Sequence, residues 1–236
     1  MTISSDLSSW EPPPPRVPGL PTHLVDVPTW SPERPSRADW WAWHREVNTR
    51  RQKLADILAE RPHLWTEEIA KCREFGPKYT TCMHYQVYEN RTDSQFGRGY
   101  LPFILMPFQV HIMDFMEKPP IERITKVIRK PREIGVTTTS IARSLYHWSF
   151  DTIWDQTYLS ATEEDVDRKD HKGSIMVKFD MMVAGCPNPL LPRPAHDFNP
   201  WVRYPRWRKH LSIVNQESGA TINGHATTLG AQRGDR

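Results

Sequence analysis

The sequence predicts an α/β protein whose sheet is mainly parallel and flanked by helices. Apolar residues recur at three- and four-residue spacing in some segments and alternate with polar residues in short β-branched runs elsewhere. Because the two patterns take turns along the chain, we expect parallel strands covered by the helices that connect them. The 236 residues, 38% of them hydrophobic, are enough for one sizeable core or one core with a small additional domain.

Composition excludes several classes of protein. The three cysteines, Cys72, Cys82 and Cys186, are widely spaced and include no C-x-x-C pair. This spacing argues against a disulfide framework and fits a reducing, intracellular setting. A net charge of +3 gives no strong bulk field, so affinity for a polyanion would have to come from local clusters. The most apolar stretch, residues 100–113, is interrupted by prolines and polar residues, so we expect no membrane segment. The N-terminus shows no basic-then-apolar signal pattern, so we expect no secretion.

The chain is expected to begin with an arm and a helical subdomain. Residues 1–36 contain nine prolines, which favour an extended or disordered arm over regular structure. Residues 37–98 are predicted to form a helical N-terminal subdomain. Its first helix follows the apolar pattern of residues 36–60 and stops at Pro62, and its second begins with Thr66 as N-cap and runs towards Phe75.

Two cysteines and one histidine of this subdomain can be considered together as metal ligands. They are Cys72, Cys82 and His84. A fourth ligand at a suitable spacing is missing from the sequence, and the pattern therefore predicts no metal site among them.

Residues 99–236 are predicted to form the α/β core. An apolar segment ends on Gln109 and leads into a helix around residues 110–117. The elements expected after it are a strand in residues 121–129, a turn in 130–135, a helix in 136–150, a strand in 155–160, a helix in 163–184, and a strand pair, 211–215 with 220–222, around a turn at 218–219.

The turn at residues 130–135 is a candidate anion site. A strand that runs into a tight turn and then a helix presents unpaired N–H groups and the positive end of the helix dipole. The usual phosphate loop is G-x-x-x-x-G-K-[ST]. Here Gly135 fits, Val136 occupies the usual lysine position, Thr137 keeps the hydroxyl, and Lys130 lies at the front of the turn. A nucleotide-binding loop and a plain surface turn both remain open on spacing alone.

The wider order of motifs is similar to a known family. The segments PFILMPFQ ending at Gln109, RKPREIGVTT at residues 129–138 and YLSATE at 158–163 resemble the N-terminal ATPase domain of tailed-bacteriophage terminase large subunits. The phosphate loop of that family reads K-[SA]-R-Q-x-G-x-[ST], with the lysine displaced to its start. The matching residues are Lys130, Arg132, Gly135 and Thr137, and the departures are Pro131 and Glu133. The resemblance extends from about residue 64 to the end of the chain.

The resemblance implies a P-loop NTPase-like (RecA-type) core that binds ATP and Mg²⁺. Lys130 and Arg132 would neutralise the β- and γ-phosphates, and Thr137 would ligate the magnesium. Gln109 would hydrogen-bond the adenine edge. The alternative for Gln109 is helix capping, and the alternative for Lys130 and Arg132 is a basic turn exposed to solvent. The Glu133 carboxylate should weaken ATP binding by charge repulsion. The full predicted nucleotide site is Gln109, Lys130, Arg132, Glu133, Ile134, Gly135, Val136, Thr137 and Thr138.

Hydrolysis needs a magnesium-binding acid at the end of a second apolar strand and a carboxylate that positions water. The nearest segment is residues 211–217, where Asn215 occupies the place of the acid. In the terminase family the acidic strand and a nuclease domain follow the region that ends this chain. We therefore expect a core that is incomplete at its C-terminus, lacks the Walker B acids, has no catalytic residues of its own and does not turn over ATP.

A second basic feature lies in residues 201–210. Four cations, Arg203, Arg206, Arg208 and Lys209, alternate with three aromatic residues, a pattern that suits a nucleic-acid backbone. The alternative is a loop whose aromatic rings pack on the sheet while the cations face water. The acidic group in residues 163–170 is predicted to begin a helix rather than to bind a metal.

The function implied by the resemblance is ATP binding in the viral DNA-packaging motor. The implied partners are double-stranded DNA and, in the full-length form, the small terminase subunit and the portal protein, and the location is the host cell cytoplasm. Homo-oligomerisation stays open. Two alternatives remain, a non-catalytic nucleic-acid-binding or assembly module and a fragment of a related helicase-type ATPase.

Overall fold

The computed structural model describes residues 37–89, 99–118, 128, 135–169, 171–199, 205 and 207–227. Backbone contacts divide the chain into two units, and neither unit is a continuous stretch of chain. One unit comprises Met1–His84 and Pro102–Ser140, and the other comprises Tyr85–Leu101 and Ile141–Arg236. The predicted arm, residues 1–36, lies outside the described residues.

The first unit is helical in its described part. Helix α1 buries Val47, Leu54 and Leu58 along one stripe, as the apolar spacing predicted. The elements of this unit are α1 (Arg37–Glu60), a 3-10 turn (Pro62–Leu64), α2 (Trp65–His84), α3 (Pro107–Glu117) and the first turn of α4 (Val136–Phe150).

Helix α2 is longer than the sequence predicted. It begins at Trp65 and bends at Gly76, whose φ of 73° and ψ of −162° are not helical. The helix resumes at once and continues to His84, because the fixed φ of Pro77 suits the first turn of a new helical segment. Arg51 of α1 stabilises the C-terminal end by donating to the carbonyls of Cys82 (3.2 Å) and His84 (2.8 Å).

The second unit contains two sheets. Strands β1 (Gln86–Glu89) and β2 (Gly99–Pro102) form one. The other has four strands in the order β3-β6-β5-β4, where β3 pairs with β6 in parallel and the pairs β6–β5 and β5–β4 are antiparallel. The remaining elements of this unit are β3 (Asp155–Ser160), α5 (Glu163–Val166), α6 (Ile175–Ala184), 3-10 turns at Asn188–Leu190 and Arg193–Ala195, β4 (Arg208–Lys209), β5 (Ser212–Val214) and β6 (Thr221–Ala226).

The α/β class is confirmed, and the described sheet is mixed rather than mainly parallel. Helix Val136–Phe150 and strand Asp155–Ser160 agree with their predicted bounds, and the β5–β6 pairing confirms the predicted strand pair. The strand predicted in residues 121–129 lies outside the described residues except for Ile128.

The prediction of a single helix over residues 163–184 was wrong. The chain leaves the helix after Val166 and re-enters it at Ile175. Between them, the Ser174 hydroxyl donates to the Glu164 carbonyl (2.6 Å) and accepts from the Arg168 amide (3.3 Å). These side-chain hydrogen bonds replace the helical backbone pattern locally.

Candidate functional site

Helix α4 begins directly after the turn that was predicted at residues 130–135, of which the structure describes Gly135. Gly135 has a φ of +75°, and the helix begins with the next residue, Val136. The Gly135 carbonyl accepts the backbone amide (2.9 Å) and the hydroxyl (3.0 Å) of Thr139. The first amides of the helix belong to Val136, Thr137 and Thr138, and they have no acceptor one turn earlier within the helix. They can therefore bind an anion that approaches from the turn.

Gln109 lies against this turn. A Cβ built on Gly135 would be only 2.6 Å from Gln109 Nε2, so the side-chain amide is in close contact with the glycine backbone. Gln109 is buried, and its Oε1 accepts the backbone amide of Met106 at 2.9 Å. The helix-capping role that the sequence left open is therefore present. The same side chain also reaches the segment with which the resemblance associates it.

Four of the predicted nucleotide-binding residues, Lys130, Arg132, Glu133 and Ile134, lie outside the described residues. Val136, Thr137 and Thr138 are half-buried in the first turn of α4. The structure thus brings Gln109, Gly135 and the start of α4 together.

Asn215, at the place where a magnesium-binding acid was sought, has a structural role. Its side-chain nitrogen donates to the Trp148 carbonyl at 2.7 Å, and its Oδ1 accepts the amides of Glu217 (2.9 Å) and Ser218 (3.2 Å). The residue is buried and organises the turn between β5 and β6. These contacts account for an asparagine at this position, because a carboxylate could not donate to the carbonyl.

One of the four cations predicted to contact DNA in residues 201–210 is buried. Arg208 was predicted to contact DNA phosphates, but its side chain is fully buried and forms ion pairs with Asp167 (2.7 Å) and Asp180 (2.8 Å). Its guanidinium hydrogen-bonds through two nitrogens to each carboxylate, so it is not available to a phosphate. Lys209 is exposed, and Arg203 and Arg206 lie outside the described residues.

The aromatic residue of this segment that the structure describes, Trp207, packs inside the protein, as the alternative interpretation of the segment predicted. Trp207 is 2% exposed, and its ring contacts those of Trp148 (5.3 Å between centroids) and Phe198 (4.8 Å). Trp207 is therefore a core residue, and its ring is not available for stacking on a nucleic-acid base.

Burial and charge act against each other in the Arg208 cluster. Burial raises the pKa of Asp180 from its ordinary value of 3.8 to about 6, although Arg208 partly opposes the shift. Burial also disfavours the charged form of Arg208, but the hydrogen bonds and charges of Asp167 and Asp180 outweigh it and raise the pKa of that group. The cluster is therefore a buried ionic group in which one guanidinium faces two carboxylates.

Three residues of the acidic run, Glu163, Glu164 and Asp165, lie in the first turn of a helix, as predicted. Thr162 is the N-cap of α5, and its hydroxyl accepts the Asp165 amide at 3.2 Å. Glu163 pairs with His210 at 2.7 Å on the surface. No sequence pattern indicated that Asp167, the residue that ends this helix, would turn inward to Arg208.

A second polar cluster is buried in helix α2, and the sequence analysis missed it. Glu68 Oε1 lies 2.7 Å from His84 Nε2, accepts the Tyr79 hydroxyl at 2.8 Å, and is 4.0 Å from Cys72 Sγ. Glu68 and Cys72 are completely buried, and His84 is 5% exposed. Cys82, which the sequence had grouped with Cys72 and His84, is not part of this cluster. The available signal was the four-residue spacing of Glu68 and Cys72, which places both on one helical face.

No protein-family model matches the chain, and no curated protein matches it either. Among the described helices, none is both long and apolar enough to cross a membrane. The geometry around Gly135 and the order of sequence motifs therefore carry the functional argument.

Proposed function

We propose that this chain is the ATP-binding part of a viral DNA-packaging motor, equivalent to the N-terminal ATPase domain of a tailed-bacteriophage terminase large subunit. The observation that carries the proposal is the arrangement at Gly135. A glycine of positive φ directly precedes helix α4, and the Gln109 amide contacts that glycine. The resemblance had assigned adenine recognition to Gln109 and phosphate binding to the loop, two segments that are distant in sequence.

The chemistry of the turn suits a triphosphate. The first-turn amides of α4 and the helix dipole favour an anion, and Lys130 and Arg132 would add two positive charges from the preceding loop. The Thr137 hydroxyl would ligate Mg²⁺ bound to the nucleotide. Glu133 places a negative charge in the same loop and should keep the affinity for ATP low.

We further propose that residues 1–236 bind ATP without appreciable hydrolysis. Asn215 cannot supply the magnesium-binding carboxylate, and its amide is used by the β5–β6 turn. In the complete motor, hydrolysis would drive double-stranded DNA into a procapsid in the host cytoplasm, with the small terminase subunit and the portal protein as partners. Burial of Arg208 weakens the alternative of a dedicated nucleic-acid-binding module, because that alternative depends on exposed cations in residues 201–210.

Titration calorimetry with ATP, with and without Mg²⁺, tests the binding proposal. We expect weak, magnesium-dependent binding by the unmodified chain. Lys130→Ala should weaken it at least about tenfold, because one ammonium offsets much of the phosphate charge, and Glu133→Gln should tighten it by a similar factor. Lys53→Ala, at an exposed position of α1, removes the same charge elsewhere and should leave the affinity unchanged.

An ATP affinity that is the same in Lys130→Ala, Glu133→Gln and the unmodified chain would show that the loop is not the ATP site.

Phosphate release measured on the same samples tests whether the chain hydrolyses ATP. We expect turnover lower than that of a complete motor by roughly three powers of ten or more, because the transition state lacks its acidic partners. Robust turnover that disappears in Lys130→Ala would contradict this expectation and would point to an acid elsewhere in the chain.

A further inference from the structure

We propose that Glu68, Cys72 and His84 bind a structural Zn²⁺ ion within helix α2. A carboxylate oxygen, a thiol sulfur and an imidazole nitrogen converge here, with all three ligand atoms within 4.8 Å of one another. Thiolate, imidazole and carboxylate are the three ligand types that zinc prefers in proteins. This proposal is independent of the proposed ATP binding, because its test measures metal content and not nucleotide affinity.

The shape of helix α2 explains how the ligands meet. Glu68 and Cys72 lie one turn apart on the segment before the bend, and His84 lies at the end of the segment after it. A straight helix would carry His84 about four and a half turns, roughly 24 Å, away from Glu68 along its axis. The non-helical conformation of Gly76 redirects the chain and allows the imidazole to approach within 2.7 Å of the carboxylate.

The distances require only small side-chain adjustments to accept the ion. In a tetrahedral zinc site with bonds of about 2.0–2.3 Å, neighbouring ligand atoms are about 3.3–3.6 Å apart. Glu68 Oε1 is 2.7 Å from His84 Nε2 and 4.0 Å from Cys72 Sγ. The Glu68–His84 separation must therefore lengthen and the Glu68–Cys72 separation must shorten, each by less than about 1 Å. The Cys72–His84 separation, which is at most 4.8 Å, must shorten by up to about 1.3 Å.

An unpaired carboxylate oxygen gives independent support. Glu68 Oε2 is buried and has no hydrogen-bond partner within the part of the chain that the structure describes. A buried polar atom in a native protein is nearly always satisfied, and a buried carboxylate oxygen is among the most costly to leave unpaired. A metal ion beside Glu68 would compensate the charge of this carboxylate.

The surrounding charges fit a neutral, four-coordinate site. Zinc with one thiolate and one carboxylate is electrically neutral. The Tyr79 hydroxyl lies 2.8 Å from Glu68 Oε1 and is our candidate for the fourth ligand, and the buried Lys71 ammonium lies 4.8 Å from the centre of the Tyr79 ring. As a phenolate ligand, Tyr79 would add one negative charge beside the positive charge of the Lys71 ammonium. Because the site is closed from solvent, its role would be to hold the two segments of α2 together.

Elemental analysis and cobalt substitution of the full chain test the proposal. We expect one zinc per chain after dialysis, and a thiolate-to-cobalt charge-transfer band in the near ultraviolet when Co²⁺ replaces it. Cys72→Ser should remove the band and weaken zinc binding by more than the roughly 10–100-fold typical for loss of an outer partner of a ligand. Cys82→Ser, at another buried cysteine of the same helix, is the matched control and should retain both.

The unmodified chain alone decides the question if Cys72→Ser fails to fold. A chelator should then lower its melting temperature, and added zinc should restore it. The proposal is overturned if the unmodified chain binds no zinc and shows no thiolate band with cobalt, in which case Glu68, Tyr79 and His84 form only a hydrogen-bonded network. It is also overturned if Cys82→Ser, and not Cys72→Ser, removes the band.

Discussion

Gly135 meets two requirements that no other residue type satisfies together. Its φ of +75° is unfavourable for a residue with a side chain, and Gln109 Nε2 fills the space that a Cβ would need. Gly219 has a similar φ of +80°, but a Cβ added there would meet nothing within 4 Å. Comparing substitutions at Gly135 and Gly219 therefore separates the free-energy cost of the backbone conformation from the cost of the close contact with Gln109.

We predict that Gly135→Ala lowers the free energy of unfolding by about 2–3 kcal/mol, and Gly219→Ala by only about 1 kcal/mol. The difference arises because the new methyl group at residue 135 must displace the Gln109 amide. Urea denaturation followed by circular dichroism measures both values. Equal losses in the two variants would mean that Gln109 moves aside without cost and does not restrain the turn.

At the scale of elements, one buried ionic cluster joins a helix end, a second helix and a strand. Asp167 follows α5, Asp180 lies in α6, and Arg208 lies in β4. Burial has raised the pKa of Asp180 to about 6, above its ordinary value of 3.8. Between these two pH values the folded protein binds more protons at this carboxyl than the unfolded chain does. The contribution of Asp180 to stability therefore falls as the pH rises through this window.

We predict that Asp180→Asn removes this contribution. Because the amide cannot lose a proton, the stability of the variant should not fall with pH at this position. The free energy of unfolding of the variant minus that of the unmodified chain should therefore increase by up to roughly 3 kcal/mol between pH 4 and pH 6. Asp56→Asn, at an exposed position of α1, serves as the control. Urea denaturation at a series of pH values gives the comparison, and parallel curves for Asp180→Asn and the unmodified chain would contradict the prediction.

Elements with a complete local pattern could be predicted from the sequence. Helix α4 and strand β3 show their apolar periodicity within their own length, and both match their predicted bounds. The break between α5 and α6 could not be predicted, because it depends on the hydrogen bonds of Ser174 and on the distant partner of Asp167. Local pattern specifies an element, and tertiary contacts decide where it stops.

The same distinction applies to the candidate sites. Gly135 and the start of α4 are adjacent in sequence, so this strand-turn-helix pattern could be predicted, whereas the contact between Gln109 and Gly135 was not predicted. Arg208 was misassigned because spacing cannot distinguish a solvated cation from one that is neutralised by residues 28 and 41 positions away. Glu68 was missed because the Gly76–Pro77 pair can signal a break in the helix but not the direction in which the chain continues, and that direction brings His84 to Glu68.

At the scale of the whole molecule, the net charge of +3 is too small to attract DNA without a local cluster. The corrected cluster consists of Arg203, Arg206 and Lys209, because Arg208 is neutralised within the protein. Any DNA affinity that depends on this cluster should therefore be weak and sensitive to salt.

We predict that log affinity for DNA falls with log salt with a slope no steeper than about −2.7, from three phosphate contacts at roughly −0.9 each. Replacing the three cations by alanine should flatten the slope. A control variant with Arg45, Lys53 and Arg61 replaced by alanine changes the net charge equally at exposed positions and should keep the slope. Fluorescence anisotropy with duplex DNA over a salt series measures it, and flattening in both variants would show that the contact is not specific to the cluster.

The parallel pairing of β3 with β6 has a consequence for synthesis of the chain on the ribosome. Asp155 pairs with Thr221, 66 residues later, whereas β5 and β6 are joined by a short turn. Closing the longer loop costs roughly 2 kcal/mol more in chain entropy. Strand β3 also has no other partner among the described strands. At about 5–20 residues per second, β3 therefore waits about 3–13 s after its own translation before its partner has been made. During that interval the backbone groups of a half-exposed strand are open to chaperones and to neighbouring nascent chains.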